Sequence, residues 1–144
     1  MSDPAGYSGT PLAQKLGMKD GQRVTFVNLP KSLDDLRTAR AFADTADAKS
    51  GKFGKSRDLI HVFTTSRGDL ETLGKALMEA IVADGTVWIS WPKKSAKVPT
   101  DITEDVIREV LLPIGLVDVK VCAVDETWSG LKMVIRKELR AKEK

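Results

Sequence analysis

The chain has 144 residues, 42% of them hydrophobic and 30% charged, and a formal net charge of +3. That size and balance describe one globular domain that can bury a core without a disulfide or a structural metal. A single cysteine, Cys122, and a single histidine, His61, exclude an internal disulfide and any zinc or iron–sulfur ligand set, and no apolar run approaches the ~18 residues of a membrane span.

Residues 1–9 (MSDPAGYSG) lack periodicity and read as a flexible arm; without an apolar run behind a basic start they are no signal peptide, so a cytoplasmic location is expected. A short helix follows, with Thr10 as its cap, Pro11 at the first helical position and Gly17 at its end. Arg23 to Val27 (RVTFV) is β-branched and aromatic, which predicts a first strand, stopped by Pro30. Ser32 and Asp35 predict the start of a helix from Leu33 to Arg40. Phe42 to Arg57 is polar and reads as a loop, with at most a weak edge strand near Ala39 to Ala43.

Asp58 to Thr65 (DLIHVFTT) is nearly continuous in apolar residues, the mark of a strand covered on both faces. Leu70, Leu73, Leu77, Ala80 and Ile81 recur at helical spacing, and Gly85 is expected to end that helix. Thr86 to Trp91 is a further strand, followed by a basic, Pro-flanked loop to Thr100. Asp101 with Glu104 is expected to cap a helix whose stripe is Ile102, Val106, Val110 and Ile114, closed by Pro113 and Gly115. Val117 to Asp125 and Leu131 to Arg136 are the last two strands. This order predicts an open, mostly parallel α/β sheet with helices on both faces and an antiparallel C-terminal strand, a single domain over residues 10–137 before a basic tail at 138–144.

From Asp58 onward the pattern resembles the C-terminal half of a class I methyltransferase, in a truncated form. That resemblance implies a final strand, at Leu131, lying antiparallel between the strands at Thr86 and Val119. The segments Ala5 to Gly17 (AGYSGTPLAQKLG), Trp91 to Ser95 (WPKKS), Pro99 to Asp105 and Gly115 to Lys137 (with TWSGLK) also resemble an uncharacterised bacterial domain family, which carries no activity across. A methyltransferase places a Gly-rich loop after its first strand and an acidic residue at the end of its second. Here the loop is Asn28-Leu29-Pro30-Lys31-Ser32, with no glycine between Gly21 and Gly51, and no second strand is evident. No cofactor is therefore expected, S-adenosylmethionine (SAM) included.

In such a sheet the segments after the parallel strands gather at one edge, where ligands bind in open α/β folds. They are Asn28 to Ser32, Thr64 to Arg67, Trp91 to Ser95 and Asp125 to Gly130. The candidate ligand-binding residues among them are Arg67, Lys93, Lys94, Trp128 and Ser129. Lys93 and Lys94 would attract a phosphate or carboxylate, or stand as solvated surface charges. Arg67 would join the helix N-terminus in holding an anion, with Ser66 there as a plain cap. Trp128 would cover the sheet end or stack on a ligand. His61 and Cys122, both mid-strand, read as core residues, and no catalytic residue or metal ligand is assigned. The expectation is a non-catalytic or weakly catalytic module for a small anionic ligand or a protein partner. The alternatives are an enzyme at the same edge, with Asp125 or Glu126 as base, and a nucleic-acid-associated protein using Lys93, Lys94, Lys97 and the basic tail.

Overall fold

The computed structural model describes residues 12–48 and 53–141. The expected arm with Tyr7, the Thr10 cap and the last tail residues lie outside the described residues. Six strands form one sheet: β1 (Arg23–Val27), β2 (Asp44–Ala48), β3 (Arg57–Phe63), β4 (Ile81–Pro92), β5 (Leu116–Ala123) and β6 (Trp128–Ile135). Their order is β2-β1-β3-β4-β6-β5. The β1–β2, β1–β3 and β3–β4 pairings are parallel, and β6 runs antiparallel between β4 and β5. The expected placement of the final strand is therefore met.

Alternation of side chains gives the sheet two covered faces. On one face Ile60, Val62, Val87 and Ile89 pack against Leu70, Leu73 and Leu77 of α2 (Arg67–Ala80) and Ile107 and Leu111 of α3 (Glu104–Leu111). On the other, Val24, Phe26, Leu59 and Trp88 pack against Ala13 of α1 (Leu12–Lys15), Leu16, Met18 and Leu36. Each fully buried large side chain contributes about 1.5–3 kcal/mol of apolar burial, so both faces are needed to hold the sheet. Trp88 is held further by its indole N–H, which donates to the Leu16 carbonyl at 2.8 Å. A short helix, α4 (Lys137–Ala141), starts the basic tail, and its Leu139 packs against the first core.

Four local readings are corrected. The edge strand is Asp44–Ala48 rather than Ala39 to Ala43; its DTADA sequence is too polar and too short in β-formers to be recognised, and pairing with β1 decides it. The segment expected as a helix from Leu33 to Arg40 is a 3-10 turn over Lys31–Thr38, with non-helical backbone at Leu33 and no side-chain cap. Gly85 does not end α2: the chain enters β4 at Ile81, and Gly85 lies within the strand. A Cβ there would sit 2.6 Å from the Ile81 side chain and 3.1 Å from the Asp58 carbonyl, beside a register shift in the β3–β4 ladder. Finally, α3 is capped by Thr103, which accepts from the Val106 N–H, and not by Asp101.

Candidate functional site

Strands β1, β3, β4 and β5 end at the same edge of the sheet, as their parallel relation requires. Lys93 and Trp128 are neighbours there: the Lys93 N–H donates to the Thr127 carbonyl at 2.7 Å, and Trp128 pairs with Pro92. The edge divides into two regions.

The first lies past the end of β4. Pro92 leads into a 3-10 turn at Lys94–Ala96, and Lys97 takes a left-handed conformation (φ 55°) that turns the chain back. Thr100 then anchors the loop on β3, donating to the Thr65 carbonyl at 2.8 Å and accepting from the Ile102 N–H at 3.0 Å. A groove of about 440 Å³ remains between this loop, the end of β4 and the first turn of α3. Trp91, Val98 and Ile102 supply apolar surface, and Lys93 and Lys94 supply positive charge. Val98 is 37% exposed, one of the few exposed large apolar side chains. The hydroxyls of Thr100 and Thr103 are engaged in turn and cap bonds, and the Glu104 carboxylate, which also lines the groove, is paired with Arg108 at 2.9 Å, so the two ammonium groups are the groove's charges without a described partner.

The second region is the crevice between the ends of β1 and β3. The segment after β1 packs Leu36 on one face of the sheet, and α2, after β3, packs on the other. This divergence is the switch point where open α/β sheets take their ligands. Here Asn28 adopts φ 59°, and its side-chain amide donates to the Phe63 carbonyl at 3.2 Å, tying the two strand ends together. Leu29 and Leu33 pack onto the core beneath. Arg37 lies over the Phe26 ring, 5.8 Å from its centroid, and its guanidinium bonds both Asp34 and Asp47. Asp47 is the penultimate residue of β2.

The other expected residues are accounted for as follows. Arg67 does not face the groove as a free cation. Its Nε donates to Glu71 at 3.0 Å and one terminal nitrogen to Glu109 at 2.7 Å, which raises its pKa above the usual value. Its backbone N–H, at the start of α2, is held by the Asp101 carboxylate at 2.7 Å. The anion expected at that helix N-terminus is thus a side chain of the protein itself. Trp128 meets the Phe63 ring edge-on at 5.2 Å, closing the opposite face of the sheet end. Ser129 pairs with Trp91 across the ladder and is half-buried. Asp125, a base in the enzyme alternative, accepts from the N–H groups of Thr127 and Trp128, both at 2.8 Å, and so builds the β5–β6 turn. Val98 carried no sequence signal, and Ile102 was read only as part of the α3 stripe, though it precedes α3; only the return of the loop onto Thr65 brings both beside Trp91.

His61 lies in the core, as its mid-strand position implies. Its Nε2 is 2.7 Å from the buried Ser90 hydroxyl, its ring stacks on Phe63 at 4.2 Å, and burial pushes its pKa down to about 3. Cys122 is half-buried against the second core, and burial raises its thiol pKa. Among the described residues there is no cluster of three metal-ligating side chains, and no helix is long and apolar enough to cross a membrane.

No protein-family model and no curated protein matches the sequence. The fold, by contrast, is shared with many solved structures. A SAM-dependent methyltransferase from Aquifex aeolicus superposes with a TM-score of 0.65 at 14% identity, covering 86% of this chain and 88% of that one. The magnesium protoporphyrin IX methyltransferase of Synechocystis PCC 6803, solved with bound SAM, gives 0.62 at 14% identity over 87% and 74% of the two chains. A TehB-like SAM-dependent methyltransferase from Corynebacterium glutamicum gives 0.57 at 13% identity over 92% and 91%. At these identities the likeness establishes a methyltransferase-like Rossmann architecture. No family model bears out the resemblance of the AGYSGTPL, WPKKS and TWSGLK segments to an uncharacterised family.

Proposed function

We propose that this domain binds a small anion with an apolar body in the groove between β4 and α3, Lys93 and Lys94 holding the charge. The observation that carries this reading is the union, in one concave surface, of exposed Val98 and half-buried Trp91 with two lysines that have no described ion pair. A bare turn needs neither Val98 nor two adjacent cations. Trp91 makes the groove observable through its indole N–H resonance. Titration with benzoate, and with inorganic phosphate as an anion lacking the apolar body, should shift that resonance saturably for benzoate and weakly for phosphate. The Lys93→Ala/Lys94→Ala double variant should bind benzoate at least ~10-fold more weakly, a difference of about 1.4 kcal/mol. Unchanged affinity in the double variant, or no saturable shift in the parent, refutes the proposal.

A second reading, group transfer at the same edge, has the support of the solved structures, which are SAM-dependent methyltransferases. The binding reading stands on the groove alone. Fold does not fix chemistry, so the second reading requires that the donor be bound. Retention of labelled SAM by the full chain would favour it over simple anion capture.

A further inference from the structure

The methyltransferase fold implies SAM, and the residues at the switch point can be tested against that cofactor. A nucleoside cofactor in a Rossmann crevice needs close backbone approach after the first strand, which glycine permits, and a carboxylate at the end of the second strand for the ribose hydroxyls. β2 provides that second strand, and Asp47 stands in the acidic position, twenty residues beyond the end of β1. The position is engaged, however: the Asp47 carboxylate accepts from Arg37, whose guanidinium is fixed by Asp34 and by the Phe26 ring. The approach after β1 is closed too. Asn28 bridges to Phe63, Leu29 turns into the core, and Pro30 has no N–H to offer a ligand.

From this geometry we infer that the β1–β3 crevice is locked against a nucleoside cofactor, the Asn28 strap taking the place of the cofactor's backbone contacts and Arg37 the place of its ribose. The lock is independent of the anion groove, which lies on the far side of β3. It narrows the second reading, since an enzyme on this scaffold would work without SAM in this crevice. Both parts of the lock use ordinary side-chain pairs and nothing strained beyond the left-handed Asn28, a conformation that asparagine tolerates.

An amide-resolved NMR titration of the full chain with SAM, to about 1 mM, tests the lock. The signals to follow are the side-chain amide of Asn28 and the backbone amides of Phe63 and Ala48. The expected result is no saturable shift at those three residues. Shifts confined to Trp91 through Lys94 would support the lock as well, because SAM carries a carboxylate that the groove can hold while the crevice stays closed. Saturable shifts at Asn28, Phe63 and Ala48 would overturn it. Failure of benzoate to bind leaves this outcome untouched, so the two proposals fail separately.

Discussion

The ends of β1 and β3 are bridged by Asn28, and the Arg37–Asp47 pair ties the segment after β1 to β2, whereas between β4 and α3 the elements stand apart and leave a groove with Trp91 and two lysines. Both regions belong to one sheet edge, and both descend from the same strand pattern. What separates them is whether the chain's own polar groups answer one another. In the crevice Arg37, Asp34 and Asp47 answer one another, and Leu29 and Leu33 pack beneath. In the groove the hydroxyls are engaged in turns, but the ammonium groups have no ion pair among the described residues. Topology thus marks an edge as competent for ligands, and side-chain pairing decides which stretch of it is open.

The most damaging change falls on the residue that supports both regions. Phe63 ends β3, accepts the Asn28 amide at its carbonyl, stacks on His61 and receives the edge of Trp128. Phe63→Ala removes a buried ring and should cost about 3–5 kcal/mol, read as a fall in the urea midpoint. A loss under about 1 kcal/mol would show that the strand ends are held by their pairings alone and not by this aromatic stack.

Next in size is the effect of pH on His61 beneath the crevice. The ring is neutral when folded, with a pKa of about 3 against 6.5 for the free side chain, because burial disfavours its charge. Since the folded form binds the proton less readily, unfolding takes one up below pH 6.5. This group leaves stability untouched above that pH, and stability then falls as pH drops toward 3, by about 1.4 kcal/mol per pH unit at the steepest. His61→Gln, which keeps a partner for Ser90 but does not titrate, should flatten that slope by close to one proton. An unchanged slope would mean that surface carboxylates cause the whole pH dependence.

These elements also show what could be read without coordinates. The open, mostly parallel sheet followed from apolar runs and helical stripes whose period is set by burial, while the adjacency of β1, β3 and β4 and the insertion of β6 followed from the resemblance to methyltransferase connectivity. β2 did not, since an edge strand of Asp, Ala and one Thr gains its structure from pairing with β1. Gathering Lys93, Lys94 and Trp128 at one edge followed from topology. Which of them share a surface did not: Trp128 sits over Phe63 on one face, and the groove opens on the other. Asp101 was legible as a cap but for the wrong helix. A carboxylate serves whichever N–H the chain brings to it, and the loop brings Asp101 to α2. Asp101→Ala should accordingly cost about 0.5–1 kcal/mol by freeing the Arg67 N–H, measured by thermal unfolding, with Ser66 still capping α2 and Thr103 α3.

The smallest expected effect is the sharpest test of the contrast between paired and unpaired charge. Arg67 carries the same charge as Lys93 and stands at the same edge, so topology alone would count it among the anion's ligands. Its guanidinium is bound by Glu71 and Glu109 and its N–H by Asp101. A guanidinium between two carboxylates adds no net positive field for an incoming anion to use, and distant surface charges are screened within about 10 Å at moderate salt. Arg67→Ala should therefore leave benzoate affinity within about twofold of the parent, under half a kcal/mol, where the Lys93→Ala/Lys94→Ala variant loses at least tenfold. A large loss on Arg67→Ala would mean that an anion displaces one of the two glutamates, and the site would then extend along α2 instead of ending at the loop after β4.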